Sequence, residues 1–374
     1  MNVRLLYVVT EDWYFLSHRL PMARSARSAG FEVHVATRVA DGAAAIAAEG
    51  FVLHAVPFTR GKLAPIGAFA TIRALRRVHR TLKPAICHHV SLQATVLGML
   101  AALGRPVACI NALTGLGYTF TSNRMKALLL RPIMAGLLRL LVQRPKRVML
   151  VQNASDRDEL IAIGISDDRI VLIPGSGVDV EALQPLPEPR GPTTVGFVGR
   201  LLEDKGIHTL IDAYRLLRQR GVNVELLIAG TPDPANPATV SGSEADGWNR
   251  EPGIRWLGHV DDISGFWRRA HIAVLPSRRE GLPKSLLEAA ACGRAMIATD
   301  VPGCRDIVRP DQTGLLVPAD DPVALAGAIE SLVASPALRA RYGAAARQLA
   351  TERFSAGAIG RQTVDLYRSL VRLD

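Results

Sequence analysis

Residues 276–293 read PSRREGLPKSLLEAAACG. They hold two acids eight positions apart, Glu280 in a loop with Gly281 and Pro283, and Glu288 in an apolar helical run. The apolar segment HIAVLP at 271–276 leads into them and reads as a buried strand. Strand, tight Gly-Pro turn and helix form a layout that aims unpaired backbone N–H groups and the positive end of a helix dipole at one point. A proline early in the helix fits, since its missing N–H would have had no partner. These residues alone imply an anion site at a helix start, or no more than a well-capped helix.

Working outward, the same alternation fills the chain. Residues 3–9, 32–37, 51–56, 85–90, 107–111 and 147–152 read as strands, with helices at 43–49, 66–82 and 92–103, and one ending near Ala29. The segment 10–21, TEDWYFLSHRLP, reads as a loop. Residues 174–193 hold five prolines and three glycines. After them the pattern restarts, with strands at 194–198, 224–229, 254–257, 271–275, 295–299 and 314–317. Helices follow at 207–220, 322–334, 337–351 and 358–373, and residues 230–248 read as a polar loop. Strands alternating with helices argue an α/β fold of doubly wound parallel sheets. The divisions are 1–174, a linker at 175–192, 193–357, and a last helix at 358–374.

A chain of 374 residues suffices for two domains. Its 48% apolar and 21% charged residues are a globular balance. The first apolar run is short and meets Glu11-Asp12, so it does not read as a signal peptide. No uncharged run approaches the ~20 residues that span a bilayer. Cys87, Cys109, Cys292 and Cys304 lack metal-like spacing and read as reduced packing residues of a cytoplasmic protein. The net charge of +11 is lopsided. Residues 1–190 hold 23 Lys and Arg against 13 Asp and Glu, and residues 191–374 hold 22 against 21. Between Gly50 and Ser155 there are 15 Lys or Arg and no acid, so the first half is expected to meet something anionic.

Residues 195–206, VGFVGRLLEDKG, end a strand at Gly199 and then present Arg200 and Lys205. Read plainly they are a turn with solvated charges. Read with the helix start above, they are two cations able to stabilise a departing diphosphate by charge-assisted hydrogen bonds.

Glu280-Gly281, the seven residues up to Glu288, the run Ala289-Ala290-Ala291-Cys292-Gly293, and Ala298-Thr299-Asp300 together resemble the donor-nucleotide motif of family 4 retaining glycosyltransferases. Gly199, Arg200, Lys205 and Gly206 are similar to the Gly-Arg…Lys-Gly element of that family. The resemblance implies the GT-B fold, two Rossmann-like doubly wound domains facing a cleft, with the last helix crossing back onto the first. It implies a nucleotide-sugar donor as substrate, with no cofactor and no metal required. Arg200 and Lys205 would hold the diphosphate, and Glu280 would contact the donor sugar; these three are the catalytic candidates. Backbone N–H groups of Gly281, Leu282 and Lys284 would add to the cradle around Pro283, which has none to give. Glu288 would accept from the ribose hydroxyls, and the segment of Gly258, His259 and Val260 would lie against the base.

The loop 10–21 and the segment 111–120, NALTGLGYTF, resemble a sub-branch that builds lipid-linked and surface polysaccharides. It includes the enzyme that adds N-acetylgalactosamine to undecaprenyl-diphosphate-bacillosamine. A UDP-sugar of the GalNAc or GlcNAc type and a polyprenyl-diphosphate-linked acceptor follow as expectations. Many family members carry a histidine just after the strand at 107–110; here Asn111 and Thr114 stand in that neighbourhood. His18 and His89 are the candidates to replace it, or are simply packed histidines. A departing diphosphate can itself take the acceptor proton, so a protein base is not obligatory.

Residues 122–147 are strongly apolar, with Arg124, Arg131 and Arg139 within about 80° of one another on a helix. The segment reads either as a buried helix pair with snorkelling arginines or as an interfacial helix on an anionic leaflet. Arg76 and Arg77 in the basic helix, and Arg124, Lys126, Arg131, Arg139 and Lys146, are the expected membrane contacts. The enzyme would thus sit on the cytoplasmic face of the plasma membrane as a peripheral protein. A nucleotide-sugar 2-epimerase of the same fold is the alternative, but its signature differs from Glu280…Glu288. A nicotinamide oxidoreductase is disfavoured because TEDWYF replaces the glycine-rich turn after the first strand. A basic, non-enzymatic nucleic-acid- or membrane-binding protein is a further alternative; a nucleic-acid partner is not expected, since aromatic residues are only 5% and no aromatic-rich basic groove is evident.

Overall fold

The structure is a computed structural model that describes residues 3–59, 65–113, 125–175, 177–234, 236 and 238–371, with side chains omitted for 125–130. The chain forms two compact units. One is Met1–Ser176 with Ala356–Asp374, and the other is Gly177–Ser355.

Unit 1 holds a seven-stranded parallel sheet of β1 (Val3–Glu11), β2 (Phe31–Arg38), β3 (Val52–Ala55), β4 (Ile86–Val90), β5 (Ala108–Ala112), β6 (Arg147–Val151) and β7 (Ile170–Leu172). Their order is β3-β2-β1-β4-β5-β6-β7. The unbroken run LLYVV in β1 is buried throughout because the sheet is covered on both faces. Leu5, Tyr7 and Val9 point to one core with the helices Leu20–Ser28 and Ala356–Val371. Leu6 and Val8 point to the other, with the helices Pro65–Leu82 and Leu92–Ala101. The C-terminal helix is tied down by polar contacts as well. The Tyr367 hydroxyl lies 2.6 Å from that of Tyr7 and 2.7 Å from His88 Nδ1.

Unit 2 repeats the plan with six parallel strands: β8 (Thr193–Val198), β9 (Val224–Ala229), β10 (Ile254–Trp256), β11 (Ile272–Leu275), β12 (Ala295–Thr299) and β13 (Gly314–Val317). Their order is β10-β9-β8-β11-β12-β13. In both units the order reverses beside the first strand, between β1 and β4 and between β8 and β11. Such a reversal leaves an open crevice at the carboxyl ends of the strands.

Several sequence expectations need correction. Residues 175–192, expected as the linker, include the division between the units at Ser176/Gly177, and beyond it the segment is packed. Val178, Val180 and Leu183 are buried in the unit 2 core, and Arg347 Nη2 donates to the Val180 carbonyl at 2.9 Å. Glu188 accepts two 2.8 Å bonds from the buried Arg339. The prolines stiffen a packed segment rather than a tether. The segment 10–21 is not a loop, because β1 runs on to Glu11 and passes directly into the helix Asp12–His18. The helix Ala154–Ala162, capped by Asn153 accepting from the Asp156 N–H at 2.8 Å, and the edge strand β7 had no reading at all. The helices Gly242–Trp248 and Ile263–Arg268 are too short for periodicity to reveal.

Candidate functional site

The reversal between β8 and β11 gathers the loops that leave the carboxyl ends of β8, β9, β11 and β12. Two glycines permit their close approach. Gly206 has φ +69°, and a Cβ there would stand 1.9 Å from the Pro276 carbonyl oxygen, so the β8 loop nests against the β11 loop. Gly303 lies so close to the Gly281 carbonyl that a Cβ would meet its oxygen at 2.2 Å. The Arg278 N–H also donates to the Asp204 carbonyl at 2.9 Å.

Within this nest the residues expected from sequence come together in pairs. Lys205 Nζ lies 2.5 Å from Glu280 Oε1, and the buried Ser277 hydroxyl donates to the same oxygen at 2.7 Å. Thr299 Oγ1 donates in turn to the Ser277 carbonyl. Arg200 Nη1 donates to Asp233 Oδ2 at 2.8 Å, and Asp233 is itself buried while the arginine is half exposed. Lys284 Nζ lies 3.3 Å from Glu288 Oε1, one helical turn along. Burial pushes the Glu288 carboxyl above its ordinary range, and Lys284 offsets only part of that.

The helix Lys284–Ala291 begins at Pro283 with no side chain capping its first turn. The helix Ile207–Gln219 begins at the left-handed Gly206, also without a side-chain cap. Two uncapped helix starts and three ammonium or guanidinium groups therefore border one crevice. An anion entering it finds fixed N–H groups and cations whose present partners are carboxylates it can displace. Gly199 and the partly buried Gly281 and Leu282 line the same loops. The Gly230 N–H donates to the Gly258 carbonyl at 2.7 Å, which brings His259 and Val260 to the rim. His259 is exposed and pairs with Asp261 at 3.1 Å, so its ring faces solvent. Among the described residues, no cluster of His, Cys, Asp and Glu could hold a metal ion.

Sequence reasoning missed Asp233 and Ser277, and it placed Thr299 in the motif without its contact to Ser277. Ser277 lies inside the opening stretch, and its position two residues after a strand was the available signal. Asp233 sits in a Pro- and Asn-rich loop with no local pattern, and only folding brings it to Arg200.

Unit 1 is different. His89 and Asn111 are not at a surface. Both are fully buried, His89 Nδ1 lies 2.8 Å from Asn111 Oδ1, and Asn111 Nδ2 donates to the Val148 carbonyl at 3.0 Å. Burial pushes the His89 imidazole down to about 4. They are core partners on neighbouring strands, which rules them out as acceptor contacts. His18 is partly exposed beyond β1, stacks on Tyr14 at 4.2 Å and bonds Ser17 at 2.5 Å. Thr114 and Arg124 lie outside the described residues, as does the Lys126 side chain. Arg76, Arg77, Arg131, Arg139 and Lys146 are all exposed.

Comparison with known proteins bears on both units. Residues 192–335 match the family model for glycosyl transferases group 1, and residues 4–152 match that for glycosyl transferase 4-like proteins. The capsular polysaccharide biosynthesis glycosyltransferase CapM of Staphylococcus aureus is 24% identical over 99% of this chain and 98% of its own. The phosphatidyl-myo-inositol mannosyltransferase of Mycobacterium tuberculosis is 31% identical over 83% of each. Anabaena HepE, solved with UDP and glucose, superposes with a TM-score of 0.78 at 18% identity over 98% of this chain and 100% of its own.

Proposed function

This chain belongs to the group 1 glycosyl transferases and is a glycosyltransferase, and on that premise we propose a retaining transfer from a nucleotide-sugar donor to a lipid-linked glycan. The carrying observation is the Lys205–Glu280 pair beside the uncapped start of the helix Lys284–Ala291. A donor diphosphate exchanges its oxygens for the carboxylates on Lys205 and Arg200 and takes hydrogen bonds from the helix start. Glu280, released from Lys205, is then free for a sugar hydroxyl. Glu288 accepts from the ribose. As the bond between the anomeric carbon and the diphosphate oxygen breaks, the acceptor oxygen bonds the same face of that carbon. The acceptor proton passes to the departing phosphate oxygen. Catalysis on this reading is stabilisation of departing negative charge.

A UDP-sugar is favoured, of the UDP-GalNAc or UDP-GlcNAc type, and the nucleotide is supported by the UDP bound in HepE. The undecaprenyl-diphosphate-bacillosamine transferase sub-branch remains the reading of the unit 1 motifs. An amphiphilic acceptor accords with the phosphatidyl-myo-inositol enzyme, and a glycan product with the capsular polysaccharide role in the name of CapM. Peripheral attachment to an anionic cytoplasmic leaflet is supported by the outer faces of two unit 1 helices. On Pro65–Leu82, Ile66 is 85% and Phe69 is 69% exposed ahead of the exposed Arg73, Arg76, Arg77 and Arg80. On Met125–Val142, Ile133 and Leu140 are about two-thirds exposed near Arg131 and Arg139. Among the described residues no single helix is long and apolar enough to cross a membrane.

The test is a screen of UDP- and GDP-sugars against a short-chain polyprenyl-diphosphate sugar, read by mass. Gain of one sugar with release of the nucleoside diphosphate is the expected result. Epimerised donor with no acceptor product overturns the proposal.

A further inference from the structure

A second basic site lies on unit 2, at the opposite ends of the strands. Thr194 of β8, Glu225 and Leu227 of β9 and Arg255 of β10 stand on one face of the sheet, paired in register as Thr194 with Glu225 and Leu227 with Arg255. The helix Ile263–Arg268 crosses this face, with Trp267 and Phe266 packed against Gly196. At six residues it is too short to cover the strand starts. A cavity of about 310 Å³ is left there, walled by Pro189 and Pro192.

Four arginines line it: Arg190, Arg255, Arg268 and Arg269. Among the described residues Glu225 is the one carboxylate lining it, and Arg255 already uses it at 2.9 Å. The excess is local, because residues 177–355 hold 20 Lys and Arg against 22 Asp and Glu. Solvated like charges repel only weakly, but facing one concavity they raise its potential and lower the free energy of a multivalent anion there. Guanidinium forks match phosphate oxygens two at a time.

We infer that this pocket binds a phosphate-ester anion, at a site separate from the donor crevice. The inference does not rest on the donor assignment. The donor crevice uses the carboxyl ends of the strands, and this pocket uses their amino ends. The bound group is a soluble phosphate ester or a phospholipid headgroup, which share this chemistry.

Calorimetric titration of inorganic pyrophosphate into the full chain, R200Q/K205Q and R190Q/R268Q/R269Q tests it. The double variant, stripped of donor-crevice cations, is expected to keep one pyrophosphate site. The triple variant is expected to lose affinity for that site at least tenfold while still binding UDP. Absence of any pyrophosphate site in R200Q/K205Q, or unchanged binding in the triple variant, overturns the inference. All three arginines are exposed, so melting temperature should hold; if it falls, Arg269→Gln alone carries the comparison. Flotation with phosphatidylglycerol vesicles then identifies the source. Reduced flotation of the triple variant assigns a lipid headgroup, and unchanged flotation assigns a soluble ester.

Discussion

After β1 the chain places Asp12, and after β8 it places Gly199, although the two strands hold the same position in their sheets. In unit 1 the Asp12 carboxylate accepts from the Ala40 N–H at 2.6 Å and the Gly42 N–H at 2.9 Å. Glu11 beside it is held by Arg38 at 2.5 Å. The helix after β4 is capped by Ser91, which accepts from the Ala94 N–H at 3.3 Å. In unit 2 the helix after β11 has no side-chain cap, and the cations of the β8 loop hold carboxylates only by pairing. The loop after β1 supplies an anion that the N–H groups after β2 hold, and the loop after β8 supplies cations. The same topology thus gives a closed turn or a binding site, according to which residue supplies the negative charge.

The largest effect that would break this contrast is on turnover. Lys205→Ala is expected to lower the transfer rate by about 10²–10³-fold, the usual loss for one preorganised donor to a departing oxyanion. Wild-type turnover in that variant, at matched circular dichroism, would remove unit 2 as the donor-binding half.

Acid sharpens the contrast in a second way. Burial pushes His79 down to about 3, His89 to about 4 and His88 well below its ordinary value, all in unit 1. A depressed histidine supports the fold above its unfolded value of 6.5 and withdraws that support as pH falls towards the folded value. His89 alone accounts for a loss on the order of 3 kcal/mol between about pH 6.5 and 4. Hydrogen exchange should show β4 amides losing protection before β12 amides over that range; simultaneous loss would contradict the assignment.

Surface charge comes next. Replacing Arg131, Arg139 and Lys146 by Gln should weaken flotation on anionic vesicles by about 1 kcal/mol per cation, with UDP affinity unchanged. Equal flotation of variant and parent would dismiss the unit 1 helices as a lipid-facing surface.

The smallest effect concerns Glu288. Its raised carboxyl supports the fold fully below about pH 4.5 and loses that support as pH rises through the folded value. Glu288→Gln is therefore expected to melt slightly above the parent at pH 8 without ligand, and level with it near pH 4, while binding UDP more weakly. A lower melting temperature at pH 8 would mean that Lys284 more than repays the burial.

Legibility differed between the units for the same reason. The donor crevice is built from two short contiguous stretches, 199–206 and 276–293, so spacing and residue type carried most of it. Glu280 and Lys205 were each readable, but their 2.5 Å pairing joins residues 75 positions apart. Asp233 had no local signature. In unit 1 His89 reads from sequence either as a substitute for the missing histidine or as a packed one, and its complete burial decides for packing.

By itself the sequence determined the alternation of strand and helix, the glycines of the β8 and β11 loops, the two acids of the opening stretch and the concentration of positive charge between Gly50 and Ser155. These follow from side-chain size, backbone freedom and charge, which are local properties. The tertiary structure alone decided which carboxylate meets which cation, that Val178, Val180 and Leu183 pack into the unit 2 core, and that four arginines from three segments line one pocket. Such choices depend on register and packing between distant segments, where a sheet brings residues together that no sequence spacing relates.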